Sequence, residues 1–477
     1  MKNQQKLRTN TITPNENISF PIGTILAVDY LYEILDLSTV FGKHKKNGID
    51  ISKLITALVS YKLTDNFSIK RAHQWINRDE VLDIFGLESF SERTLYRVLE
   101  TIGNNRIEII SDIQDRIFST YDFEHTNINV DWTSIVLHGE KAPLAKYGYS
   151  RDHRPDKKQI TLGITEVAEP INVPIGITTE KGNVADQTHF KATYDQVKKH
   201  LEKDSLVVFD RGANSLTNTQ MVLADHFQYL TGKQLNKSDD KIIKTFWNKP
   251  IELVSSKDQI YCFKIQKPSG FNFLYFSPKL QKEKLASKER KIRRQIDEAQ
   301  QIQSSIDKNK KLPKKFRINN VLIDVEYSLQ TKLAEIDENE AIKMLQDKLI
   351  TGREGFFCLR SSKNLTAKDA LQIYRKKDSV EKTINSLKNE IEIKPLRVWS
   401  DASIYGAIII GFIAQLFISL MRFEFKELKS TSTKFIKKSL LNLTVTVDFA
   451  KKKVKKFIYS NFDAINTLIL SPKWLKS

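Results

Sequence analysis

Cysteine is nearly missing from this chain. Cys262 and Cys358 are the only two among 477 residues, far apart and outside any Cys-x-x-Cys or Cys/His spacing. A disulfide scaffold is thereby excluded, a structural zinc site has no support, and a reducing cytosol fits. The eight histidines are scattered without ligand spacing. Neither a Gly-rich phosphate loop, nor a nucleophile elbow, nor an internal repeat occurs. Residues 1–6 lack the apolar core of a signal peptide, so export is not expected and a cytoplasmic, nucleoid-associated location is.

Negative charge is the next shortage. Asp and Glu number 57 against 76 Lys and Arg, which leaves a formal charge of +19 and a pI near 9.5. Such a surface draws polyanions, nucleic acid first and an anionic membrane second. With 40% hydrophobic and 28% charged residues the chain reads as soluble globular material able to bury several cores. Long apolar runs are scarce too, with one exception. Residues 402–421 carry no charge and meet the length criterion for a membrane span. Gln415, Ser403 and Ser419, and the isolation of the run in a charged chain, favour a core helix packed on a sheet, so no membrane partner is expected.

Among what is present, residues 374–388 are the most informative. Read as one helix at roughly 100° per residue, they carry Tyr374, Lys377, Glu381 and Lys388 along one line. One acid among cations and an aromatic suits a phosphate backbone, with the carboxylate left for a metal; an ordinary solvated face shows the same spacing. Two further acids stand at strand-like segments. Asp131 lies where Ile128, Val130 and Trp132 alternate with polar residues, and Asp210 follows the apolar run Leu206-Val207-Val208-Phe209 and precedes Arg211-Gly212. A carboxylate at the end of a buried strand calls for a cation, for which a metal suffices; a salt bridge or a helix N-cap is the structural alternative.

These residues resemble the bacterial insertion-sequence transposases of the DDE type, in the branch with a long β-rich insertion before the final glutamate. That branch has the signature Tyr, two residues, Arg, three residues, Glu, six residues, Lys, and Tyr374, Lys377, Glu381 and Lys388 keep its spacing. The first two acids match Asp131 and Asp210. Further matches are the segment from Gly148 through Arg151, Arg154 and Lys157 to Gln159, Gly182-Asn183 with Asp186, and Lys394-Pro395-Leu396-Arg397-Val398-Trp399. Lys377 stands where the signature has arginine, and Asp378 where a tryptophan often follows. The resemblance implies an α/β, ribonuclease H-like core and metal-dependent DNA strand cleavage and strand transfer. It makes Asp131, Asp210 and Glu381 the catalytic and metal-binding acids, for two Mg2+ ions with Mn2+ able to substitute. Tyr374, Lys377, Lys388, Arg151, Arg154, Lys157 and Arg211 would contact DNA. The implied partners are double-stranded DNA, both terminal inverted repeats and target, and a second copy of the chain on paired ends. A catalytically inactive, transposase-derived DNA-binding protein is the alternative.

Composition divides the chain into a helical, DNA-binding segment at 1–120 and a first part of the core at 121–233. A β-rich insertion with a basic helix bearing Arg290, Lys291, Arg293 and Arg294 follows at 234–350. The rest of the core is expected at 351–422 and a basic helical region, with Lys451-Lys452-Lys453, at 423–477. Asp324 and Glu326 are rival carboxylates within the insertion.

Overall fold

The period-two pattern around Asp131 forms a ten-residue strand, β2 (Asn127–Val136), and the site is built round it. The computed structural model of the protein describes residues 17–44, 48, 50–64, 68–123, 127–137, 142–168, 172–308, 315–318, 321–324, 337–394, 396, 398–450 and 453–474. Glu326, Arg397, Lys451 and Lys452, and the side chain of Asp324, lie outside the described residues. The chain divides into two units, Met1–Tyr229 with Tyr374–Ser477, and Leu230–Ile373.

In the first unit β2 pairs antiparallel with β3 (Gln159–Val167), and β3 with β4 (Val173–Lys181). On its other edge β2 pairs parallel with β5 (Leu206–Phe209). The next strand, β6 (Gln228–Lys233), starts beside β5, with Gln228 N donating to Ser205 O at 2.9 Å. Counted from β2, the strand order is third, second, first, fourth and fifth. This mixed sheet is the ribonuclease H-like arrangement that the resemblance implies.

Residues 23–120 fold as α1 (Gly23–Ile34), α2 (Leu37–Gly42), α3 (Ile51–Thr64), α4 (Ile69–Ile76), α5 (Asp79–Phe85), α6 (Glu92–Asn104) and α7 (Arg106–Thr120). The connection from β4 to β5 runs through α8 (Asp186–Val197), whose Phe190 packs on Trp132 with ring centroids 5.9 Å apart, and α9 (Leu216–Ala224) follows β5. The N-terminal helices do not form a core of their own; Leu31, Leu58, Leu99 and Ile113 belong to the apolar cluster that also holds Val130 and Phe412.

In the second unit residues 230–233 of β6 pair with β12 (Phe356–Ser361). The sheet continues through β9 (Gly270–Phe276) and β8 (Ile260–Lys267) to β7 (Glu252–Ser255), antiparallel throughout. The short α10 (Asp240–Lys244) follows β6, and the long basic helix is α11 (Pro278–Asp307), with Arg290, Lys291, Arg293 and Arg294 exposed. A hairpin, β10 (Lys315–Ile318) with β11 (Val321–Asp324), leads to α12 (Glu338–Leu349), whose Ala341 and Leu345 pack on Ile292 and Ile296 of α11. The strand expected to resume the catalytic core at 355–360 is thus β12, seated between β6 and β9 of this unit. Its apolar pattern marks it as a strand but carries no information about which neighbours it pairs with.

The chain re-enters the first unit at Tyr374, in the last turn of α13 (Ala367–Lys376), and continues into α14 (Asp378–Asn389) and α15 (Asp401–Glu424). The C-terminal part holds α16 (Thr433–Asn442) and α17 (Ala464–Trp474). It is not wholly helical as expected. Between these helices β13 (Thr444–Ala450) pairs with β14 (Lys453–Ser460), and β13 also pairs with β1 (Asn17–Pro21). The alternating β-branched run Thr444-Val445-Thr446-Val447 is the local cause, outweighing the lysine-rich composition.

The uncharged run is α15. By length and composition it is long and apolar enough to cross a membrane, but it is buried within the first unit, against α3, α6 and β4. Its crossing with α6 is backbone to backbone. A Cβ at Gly406 would lie 2.1 Å from Leu99 O, and one at Gly103 would lie 1.9 Å from Ala402 O. Gly406→Ala should therefore force the two helices apart and cost about 3 kcal/mol. A urea midpoint unchanged from the wild type would show that the crossing is not tight.

Candidate active site

The parallel pairing of β2 with β5 ends with Val130 opposite Phe209, so the next residue on each strand is an acid, Asp131 and Asp210. Their strands are neighbours although the sequence separates them widely. Burial raises the Asp131 carboxyl above the ordinary carboxylate range, against the pull of the Lys377 ammonium and the Trp132 backbone N–H, and the charge of Asp210 adds to the rise. Asp210 is also penalised by burial. Lys377, the N–H groups of Arg211 and Gly212, and the Tyr374 hydroxyl outweigh that penalty and hold it below the ordinary range.

The segment expected as one helix from 374 to 388 is divided. Lys377 sits between α13 and α14, and i→i+3 bonds close the turn, Lys377 N to Tyr374 O at 3.2 Å and Val380 N to Lys377 O at 3.0 Å. The turn directs the signature cation inward. The Lys377 side chain is 5% exposed, and its Nζ lies 3.4 Å from Asp131 Oδ1 and 3.7 Å from Glu381 Oε1. The Asp131 and Glu381 carboxylates therefore share a single ammonium. Tyr374 donates to Asp210 Oδ1 at 3.0 Å, and burial together with the Asp210 charge keeps its hydroxyl protonated. Glu381 is the outer acid, its side chain 63% exposed.

Lys388 is buried as well. Its Nζ donates to Thr133 Oγ1 and to Asp152 Oδ1, each at 2.9 Å, and Lys394 reaches the same Asp152 oxygen at 3.2 Å. Desolvation lowers the Lys388 ammonium even so, with Asp152 in part offsetting it. Lys388 thus anchors Asp152 and the segment around it. In that segment Arg151 pairs with Asp186 at 2.5 Å while its backbone N–H donates to Ser134 Oγ at 2.9 Å. Arg154 forms two 2.9 Å bonds with Asp156, which hold that carboxyl down to about 2. Lys157 is half-buried, and Arg211 is exposed at the turn after Asp210. Gly212 lets that turn approach the Arg151–Asp186 pair, since a Cβ there would meet Asp186 Oδ2 at 2.9 Å.

Lys377 and Lys388, expected on the nucleic acid, are buried instead, and beneath them lies a polar seam that the sequence did not suggest. Asn129, Asp131 and Thr133 share one face of β2, and each meets a residue of the helix segment above. Asn129 Nδ2 lies 3.3 Å from Ser379 Oγ, Asp131 meets Lys377, and Thr133 meets Lys388. Glu166, beside Asn129 in the β2–β3 ladder, is fully buried and accepts from Ser379 Oγ and from Thr383 Oγ1, the latter at 2.9 Å. Two signals were available: an acid inside the buried strand Gln159–Val167, and small hydroxyl residues four apart on the inward face of α14.

Residues 123–417 match the family model described as the transposase DDE domain, and the chain belongs to that family. It is a transposase. It is similar to a solved cryo-EM structure described as a piggyBac transposase synaptic complex with hairpin DNA. The two share 11% identity at a TM-score of 0.42, with 90% of this chain and 80% of that one covered. No curated protein matches it.

Burial pushes the Glu166 carboxyl from 4.5 up to about 7, against the hydroxyls of Ser379 and Thr383, the Asn129 amide and the charge of Lys377. A carboxyl raised on folding favours the native state at low pH. Its contribution is fully present below pH 4.5 and is lost as pH rises through about 7. Between these values the urea stability of the wild type should fall relative to that of Glu166→Gln. Parallel curves for the two proteins would refute the assignment.

Proposed function

We propose that this transposase moves an insertion sequence by cutting and rejoining DNA at Asp131, Asp210 and Glu381. The observation that carries the reading is the juxtaposition of Asp131 and Asp210 at the end of one parallel ladder, with Glu381 joined to Asp131 through Lys377. Among the described residues no three acid, histidine or cysteine side chains are already arranged to hold an ion. The donors themselves suit a hard divalent cation. All are carboxylate oxygens, and Asp131 is buried with its charge incompletely compensated. Asp131, Asp210 and Glu381 would hold two Mg2+ ions, or Mn2+ in their place, which supply Lewis acidity at the attacking and leaving oxygens.

The remaining work falls to the chain. Tyr374 fixes the Asp210 carboxylate by its hydrogen bond. Lys377 lies between Asp131 and Glu381 and offsets their repulsion. Lys388 and Lys394 hold Asp152, and with it the segment that presents Arg151, Arg154 and Lys157 toward the phosphate backbone, where Arg211 adds a further charge. The DNA partners are the terminal inverted repeats and the target duplex, held by two copies of the chain on paired ends, within the bacterial cytoplasm at the nucleoid. The segment at 1–120 would bind DNA through Arg93 and Arg97, exposed on α6. A catalytically inactive DNA-binding role is not favoured, because all three acids are retained.

Alanine at Asp131, Asp210 or Glu381 should reduce strand cleavage of the element's terminal DNA in Mg2+ by about a thousandfold or more. Affinity for the same DNA should be retained. Nicking at the wild-type rate by any of the three variants would contradict the assignment.

A further inference from the structure

Glu166 has no part in the chemistry above, yet the first unit buries it completely between β3 and α14. An apolar side chain would fill that space without the desolvation cost of a carboxyl. What an apolar side chain lacks is direction. The Glu166 oxygens are divided between two hydroxyls, Oε1 accepting from Ser379 and Oε2 from Thr383 at 2.9 Å. Ser379 and Thr383 are four residues apart, one above the other on the same face of α14. The grip therefore spans one turn of the helix, and a slide or a rotation of α14 breaks both bonds. Glu381 lies midway between them in sequence, roughly 160° round the helix from each. It projects from the opposite face at the same height, which accounts for its exposure while its two flanking hydroxyls are buried.

We propose that Glu166 is a positioning residue: its two-point grip on Ser379 and Thr383 sets the height and rotation of α14, and with them where Glu381 stands relative to Asp131. The inference rests on the reading that Glu381 completes the site. Asn129 supports the grip from β2. It is beside Glu166 in the ladder, its amide reaches the Glu166 carboxyl, and its Nδ2 lies 3.3 Å from Ser379 Oγ. Because Asn129 is two residues before Asp131 on the same face, one network references both the strand acid and the helix acid to a common point.

The test uses the full chain with Thr383→Val, Glu166→Val and Glu166→Gln. Hydrogen–deuterium exchange over Asp378–Asn389 reports the grip without any need for activity. Single-turnover cleavage of terminal DNA, with the affinity measured alongside, reports its consequence. The two valine variants should exchange in α14 about tenfold faster and cleave about tenfold or more slowly at unchanged affinity. Glu166→Gln, which keeps the shape and one acceptor, should stay within about threefold of the wild type in both. Wild-type exchange and cleavage in Thr383→Val would overturn the proposal, and so would equal damage in Glu166→Gln and Glu166→Val. Should Glu166→Val fail to fold, Thr383→Val decides alone. If the wild type does not cleave, the nuclease reading fails, while the exchange rates still decide whether Glu166 holds the helix.

Discussion

The ammonium of Lys377 is the group on which the site depends. Neighbouring strand ends set Asp131 and Asp210 close together, and burial penalises both charges. Such a pair holds its form only with positive charge at close range. Lys377 provides it from a buried position, and it also reaches Glu381. A lysine is a compact point charge with donors that rotate, whereas the arginine of the signature is a planar fork suited to bidentate phosphate contact. Between the Asp131 and Glu381 carboxylates the point charge fits.

Around that contact the sheet and the helix meet through polar atoms where a sheet-on-helix interface is ordinarily apolar. Asn129, Asp131 and Thr133 on β2 and Glu166 on β3 face Lys377, Ser379, Thr383 and Lys388. Apolar packing tolerates small shifts, but hydrogen bonds have narrow ranges of length and angle. A helix referenced to its strand in this way is held in one register. The apolar core, including the buried α15 and its close crossing with α6, supplies the stability beneath it.

Much of this was legible in the sequence. The alternation around Asp131 and the apolar run before Asp210 are local patterns, and local patterns define strands; β2 and β5 followed from them. The uncharged run at 402–421 was readable as a core helix because nothing else in the chain is comparably apolar. Pairing and direction were less accessible. The hairpin of β13 and β14 lies in a lysine-rich stretch, and β12 gives no sign of its neighbours. Helical spacing placed Tyr374, Lys377 and Lys388 on one face but could not tell an outward face from an inward one. The turn at Lys377, which brings that cation to the acids, depends on tertiary contacts. Glu166 escaped notice because a single acid in a strand is informative only once both faces of the strand are known to be covered.

The most direct measurement is anomalous scattering from crystals of the protein grown with Mn2+ and terminal DNA. Manganese density ligated by oxygens of Asp131, Asp210 and Glu381 is the expected result. Density confined to other carboxylates, or none while Lys377 remains paired with Asp131, would contradict it.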